Sequence, residues 1–294
     1  SSSASKLAAY AIRFPTHAIL MRADWTPEAE ANVRQKYPRM VPCPAPTVHS
    51  KVEVLGHTCT ATDLTNEISP SNPTFKGHQR TVMWQHLSHD DVQKFGLTKA
   101  PYSYEVVAFT VCGHTSTHCD SISHIVPEQG ARPIDKTPLQ WHMAPGIWVD
   151  FAHKAPSSYI TKPEIEAQMR EHKLTLKPGS VFLFSTGWYK KFETAPFEYI
   201  RDYPGLDGES AEWLADSGVI CVGSDAPSVD SFNEVAVRMI QPVHMMCRER
   251  GVLNIENLRA IDQIPKRSFS FIGLPLKIKN GCGSPIRAVA LTED

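Results

Sequence analysis

The 294-residue chain is poor in the features that mark several protein classes. It has no apolar run long enough to span a bilayer, which argues against a transmembrane protein. It has no excess of either charge, with 30 Lys+Arg against 31 Asp+Glu, so no basic stripe argues for nucleic acid and no acidic tail for a basic partner. It has no internal repeat of the kind that builds a solenoid or propeller. Its 7 cysteines are neither dense nor regularly spaced, which favours reduced thiols over a disulfide framework. The first residues, Ser-Ser-Ser-Ala-Ser-Lys, have no apolar signal core. A cytoplasmic protein without a membrane or nucleic-acid partner is therefore expected. Hydrophobic residues at 41% and charged residues at 21% are ordinary for a globular chain. The expected organisation is an N-terminal extension over residues 1–50 and a single domain over 51–294.

What the chain does have is a dense run of metal-ligand and proton-carrying side chains. Cys112-Gly-His-Thr-Ser-Thr-His-Cys-Asp-Ser-Ile-Ser-His124 places His114, His118, Asp120 and His124 among small residues. In a straight strand His114 and His118 would stand about 13 Å apart, too far for two ligands of one ion with bonds near 2 Å. The segment must curl, and one helical turn would bring positions i and i+4 together. Glu105–Cys112 reads as a strand feeding a curled loop or short turn that carries these side chains.

Around this run the pattern alternates strands and helices. Thr26–Tyr37 carries a Thr-Pro-Glu start signal and reads as a helix; Pro38, Pro42, Pro44 and Pro46 then enforce an extended linker. The extension is expected to pack on its own domain. Val52–Leu55, Thr58–Leu64, Ala144–Phe151, Ser180–Ser185, Val252–Leu258, Ser268–Leu274 and Arg287–Leu291 read as strands, and Val219–Asp230 as a strand and loop. Helices are expected from Thr161, from Gly208 to Ser217, and around His244 up to Gly251. Gly77–Ala100 is both polar and aromatic and reads as a solvated loop with a short helix, a lid over the pocket being the alternative. Asp225 and Asp230 are expected to organise backbone amides rather than to ligate.

The spacing His114-x-x-x-His118-x-Asp120-x-x-x-His124 resembles the signature of a metal-dependent hydrolase family often called the cyclase family. Its usual form is His-Gly-Thr-His-x-Asp-x-Pro-x-His-Phe; the proline and the final Phe are absent here. Thr186-Gly-Trp188 and Gly223-x-Asp-x-Pro-Ser-x-Asp230 resemble further family segments. The resemblance implies an α/β fold of the swivelling β/α/β kind: a mixed, β-barrel-like sheet with helices outside, assembled as a homodimer or homotetramer. It implies that His114, His118 and Asp120 hold a first divalent ion. It implies that His244 and Glu256, twelve residues apart as in the family pattern, would complete a second site with Asp120 where two ions are present. Such donors suit zinc or manganese, as one or two ions. His124 would then be the general acid/base, and Phe75, after a proline-containing loop, a wall of the substrate pocket. The implied reaction is hydrolysis of an amide, cyclic amide or lactone of a small molecule by metal-bound hydroxide.

Two other readings use the same residues. His118, Asp120 and His244 would satisfy the facial triad of a non-haem iron oxygenase, and a non-catalytic metal-binding protein would need only the ligands. For Phe75, a plain core position is the alternative.

Overall fold

The computed structural model describes residues 25–41 and 45–294. The described residues fall into two compact units, one of the chain up to Pro46 with Thr81–Thr110, the other of Thr47–Arg80 with Val111–Asp294. The expected linker lies partly, at 42–44, outside the described residues, as does the extension before residue 25.

In the first unit the expected helix spans Pro27–Lys36. Thr26 caps it by accepting from the Ala29 N–H, with Glu28 and Glu30 in the first turn and Arg34 and Lys36 in the last, each matching the helix dipole. The stretch read as a loop is more ordered than expected. Val82–Leu87 is a strand, paired antiparallel with Val106–Thr110 and bulged between Gln85 and Leu87. The short helix is present at His89–Lys94, closed by a Ser88/Asp91 capping box.

The second unit is built on one ten-stranded mixed sheet. Its strands are β1 (His49–Val54), β2 (His57–Asp63), β3 (His118–Asp120), β4 (Met143–Asp150), β5 (Val181–Ser185), β6 (Cys221–Ser224), β7 (Leu253–Glu256), β8 (Ser268–Ile272), β9 (Gly283–Pro285) and β10 (Val289–Glu293). Their order is β1-β2-β10-β8-β4-β5-β6-β7-β3-β9. The centre, β4 to β7, is parallel and the flanks are antiparallel.

Parallel strands are covered on both faces and so read as continuous apolar runs. In β5, Val181 and Leu183 face one core while Phe182 and Phe184 face the other. The outer core is closed by helices α1 (Lys162–Glu171), α2 (Gly208–Asp216) and α3 (Pro242–Arg250), through Ile165, Leu214, Val243 and Met246 among others. The inner core gathers Leu64 and Ala290 from one end of the sheet with Cys119 and Ile255 from the other. Strands so far apart in sheet order share a core because the sheet curls. An antiparallel bridge between Thr65 and Leu258, beside the Arg259 N–H donating to the Leu64 carbonyl at 3.0 Å, ties the end of β2 to the end of β7. The curl gives the expected barrel-like core, with helices on its outside. Among the described residues no helix is long and apolar enough to cross a membrane.

Candidate metal centre

The histidine-rich run curls, and does so through a short turn, as expected. Residues 113–117 form the turn, with Ser116 in the left-handed region at φ 55°. Its hydroxyl is held at the Asn66 and Glu67 carbonyls, 2.9 and 3.0 Å away. The small residues have a steric reason: a Cβ on Gly113 would sit 2.8 Å from the Gly283 carbonyl oxygen, and one on Gly283 2.7 Å from His114 Cε1. The turn can pass β9 only glycine against glycine.

Beyond the turn the chain enters β3, and strand periodicity does the rest. His118 and Asp120 project from one face while Cys119 enters the inner core. The antiparallel register with β7 sets Glu256 opposite His118 and Asn254 opposite Asp120. Four polar side chains thus share one patch, all buried. His244 reaches the same patch from the first turn of α3, and His114 returns to it from the turn.

The hydrogen bonds fix which atoms face inward. His118 Nδ1–H donates to the Ser116 carbonyl at 2.9 Å, so Nε2 carries the lone pair. That atom lies 3.4 Å from Asp120 Oδ1 and 3.6 Å from Glu256 Oε2. His244 Nδ1–H donates to Asp230 Oδ2 at 2.6 Å, leaving its Nε2 3.5 Å from Glu256 Oε1 and 3.8 Å from Asp120 Oδ2. His114 Nδ1 contacts Asp120 Oδ1 at 2.6 Å. The donor atoms form two groups, His114/His118/Asp120 and Asp120/His244/Glu256, each spanning no more than 4.8 Å and sharing Asp120. The structure therefore brings together all five side chains expected as ligands.

Two imidazole lone pairs aimed at two buried carboxylates would repel them unless a cation lies between. Protons can fill that role. Burial opposes charge on His244, but its hydrogen bond to Asp230 and the charges of Asp230, Glu256 and Asp120 outweigh this and raise it to about 9. His118 is raised likewise, burial again being outweighed by Asp120 and Glu256. Asp120 is held well below the usual carboxylate range: burial pushes it up, and His114 and His118 more than reverse this. Glu256 is raised, first by burial and then by Asp120. A divalent ion answers the same electrostatic demand with nitrogen and oxygen donors already in place.

His124 stands apart from the two groups. It sits on the helical turn Ile122–Ile125, its Nε2 3.9 Å from Asp120 Oδ2 and its ring 4.0 Å from that of His114. Burial is the largest influence on it, and with the neighbouring His114, His244 and His118 it outweighs Asp120 and lowers the ring to about 4. His124 and the five ligand candidates line one cavity of about 110 Å³. Phe75 lines it too; the ring is half-buried and belongs to none of the core clusters, so the plain core position does not describe it.

Asp225 and Asp230 act as expected on backbone amides. Asp225 accepts from the Thr186 and Gly187 N–H groups at 2.8 Å, tying the end of β5 to that of β6. Asp230 accepts from the Val243 and His244 N–H groups at 2.7 and 3.2 Å, and additionally holds the His244 ring.

His78, from the polar and aromatic stretch whose alternative reading was a lid over the pocket, lines the cavity with its ring 5.3 Å from that of His114. Two residues escaped sequence reasoning. Asn254 Nδ2 lies 3.1 Å from oxygens of both Asp120 and Glu256; its position two before Glu256 on a strand was the available signal. Asn257, also in the lining, accepts from the Tyr199 hydroxyl at 2.8 Å.

Comparison with known proteins agrees with this geometry. The Cyclase family model, described as "Putative cyclase", matches residues 62–231, more than half of the chain. "Kynurenine formamidase" of Salinibacter ruber is 28% identical over 230 residues, covering 77% of this chain and 95% of that protein. "Isatin hydrolase" of Roseibium aggregatum is 25% identical over 193 residues, covering 60% of this chain and 71% of that protein. Among solved structures, isatin hydrolase A from Ralstonia solanacearum aligns with a TM-score of 0.70 at 23% identity, over 93% of this chain and 100% of that one.

Proposed function

This chain belongs to the cyclase family, and from that premise we propose that it is a metal-dependent hydrolase of a small amide, cyclic amide or lactone. The observation that carries the proposal is the pair of inward Nε2 lone pairs set against two buried carboxylates. In this reading His114, His118 and Asp120 hold one divalent ion, zinc or manganese, and Asp120, His244 and Glu256 hold a second where two are bound. When bound, such an ion polarises a carbonyl and acidifies water. Asp230 and the Ser116 carbonyl fix the two imidazoles in the tautomer that presents Nε2. His124, neutral at pH 7 because burial lowers it to about 4, takes the proton of the attacking water and returns it to the leaving nitrogen or oxygen. Phe75 offers an apolar wall for a planar substrate, and a cavity of about 110 Å³ suits a small molecule. A cyclic amide or lactone is the preferred class, and the names of the relatives, a formamidase and an isatin hydrolase, support amide-type bonds.

An oxygenase built on His118, Asp120 and His244 would leave His114 and Glu256 without a role, although both lie among the same donor atoms. The balanced charge supports an enzyme without a nucleic-acid partner; a cytoplasmic setting, no membrane partner and a homodimer or homotetramer are proposed with it.

The test is turnover of a panel of aryl formamides, cyclic amides and lactones with added zinc or manganese. His118→Ala and Asp120→Ala are expected to lose metal and activity together. Full metal content in both variants by elemental analysis would refute the ligand assignment.

A further inference from the structure

Cys282 has no part in the chemistry above, yet its sulfur lies 3.3 Å from His114 Nε2. His114 turns its Nδ1 to Asp120 at 2.6 Å, so the ring's two nitrogens face different donors. The His124 ring lies against that of His114, centroids 4.0 Å apart and tilted by 37°. His114, His124 and Cys282 each offer one donor atom, all within 4.8 Å of one another. With bonds of about 2.0 Å to nitrogen and 2.3 Å to sulfur, three donors at such a spacing can meet on one ion. Among the described residues this is the one such group that contains sulfur. It also differs in access: Cys282 is exposed and His124, most of whose side chain is covered, keeps 30% of its surface to solvent, whereas Asp120, His244 and Glu256 are all buried. A thiolate with two imidazoles selects soft or borderline ions such as zinc and cadmium over hard ones such as magnesium or manganese.

We infer that His114, His124 and Cys282 form an outer site for a thiophilic cation, zinc or cadmium, whose occupation inhibits the enzyme. The inhibitory part rests on the acid/base role proposed for His124. As the ion binds, the Cys282 S–H bond and the His114 Nε2–H bond break, both protons leave to solvent, and metal–sulfur and metal–nitrogen bonds form, His114 then offering both ring nitrogens, Nδ1 inward and Nε2 outward. The His124 lone pair that would accept the proton of water is then engaged by the ion. Excess zinc is therefore expected to inhibit where manganese does not.

The experiment is a cadmium titration of the full chain, read by the ultraviolet thiolate-to-cadmium charge-transfer absorption, with hydrolysis followed in parallel. The two inner groups hold only nitrogen and oxygen donors, so this absorption reports sulfur ligation alone. It is expected to saturate in the wild type, to vanish in Cys282→Ser, and to persist in Cys112→Ser and Cys43→Ser. The half-inhibitory cadmium concentration, each variant scaled to its own cadmium-free rate, is expected to rise at least about tenfold in Cys282→Ser, the equivalent of about 1.4 kcal/mol. An absorption that survives Cys282→Ser, or that is absent from the wild type, overturns the site. Equal inhibition of both proteins overturns the inhibitory coupling. A Cys282-dependent absorption in a protein that hydrolyses nothing on the panel supports the site and counts against the hydrolase reading instead.

Discussion

Replacing Asp230 by Asn tests whether the metal centre depends on a residue that touches no metal. Asp230 is fully buried and accepts three hydrogen bonds, from the Val243 N–H at 2.7 Å, the His244 N–H at 3.2 Å and the His244 ring at 2.6 Å. Asparagine keeps one acceptor oxygen and puts an NH2 where the other stood. With the oxygen retained at Val243, the NH2 faces His244 Nδ1, which can then only accept. The ring proton moves to Nε2, the atom that lies 3.5 Å from Glu256 and must be bare to ligate. Loss of an outer carboxylate behind a ligating histidine typically costs 10- to 100-fold in metal affinity, about 1.4 to 2.8 kcal/mol. The stranded His244 backbone N–H adds about 1–3 kcal/mol of lost stability. Affinity is measured by competition with a chromophoric chelator, on protein whose folding is checked by circular dichroism. The same substitution is repeated in a His244→Ala background, where it should have almost no further effect on affinity. Wild-type affinity in Asp230→Asn, or an undiminished loss in the His244→Ala background, would refute the reasoning.

The remaining predictions concern the other side chains around the cavity and one outside it. His124→Asn should keep its metal and fold while losing about 10²- to 10⁴-fold in rate; a metal-free variant would make His124 a ligand, and near-normal turnover would leave it without a catalytic role. Phe75→Ala should raise KM while leaving metal content unchanged, and a fall in thermal stability with unchanged KM would return Phe75 to the core. His142 is buried, with Nε2–H on Thr137 Oγ1 at 2.7 Å, and burial lowers its pKa to about 4. Between that value and the ordinary 6.5 the unfolded chain binds more protons than the folded one, so this share of stability is present above about pH 6.5 and is lost as the pH falls towards 4. His142→Gln should flatten the slope of unfolding free energy over this window, and an unchanged slope would exclude the assignment.

The candidate ligand set was legible in sequence for two different reasons. His114, His118 and Asp120 are close in the chain, and their density alone separates them from ordinary surface histidines. His244 and Glu256 are more than a hundred residues further on and became visible only through a spacing shared with a family. The central strands were readable because burial on both faces writes an unbroken apolar run, as in Val181–Phe184. Val82–Leu87 was not: its polar residues Gln85 and His86 obscure the strand, and its partner begins almost twenty residues later at Val106. The curl at His114 was required by ligand reach, but its form was not. A helical turn would have brought His114 and His118 together equally well. What selects a turn followed by a strand is the pairing of β3 with β7, which no local pattern encodes.

That pairing explains why so few residues suffice to build the centre. On a strand, ligands two apart share a face, so His118-x-Asp120 presents two donors without any bend. Asn254-x-Glu256 does the same on β7, and the register sets the two pairs side by side. Cys119 and Ile255, the residues between, point the other way into the inner core and carry the apolar contacts that hold the two strands in place. Each strand thus alternates site and core over three residues. A one-residue slip of β3 against β7 would misalign His118 from Glu256, and a reversal of its faces would bury both ligands in the core. The glycine pair at Gly113 and Gly283 guards against this from the other edge, since β9 pairs with β3 and lies close against the turn that returns His114. The precision of the candidate metal centre is therefore a property of strand register, with α3 adding a single histidine and Asp230 fixing which of its nitrogens faces in.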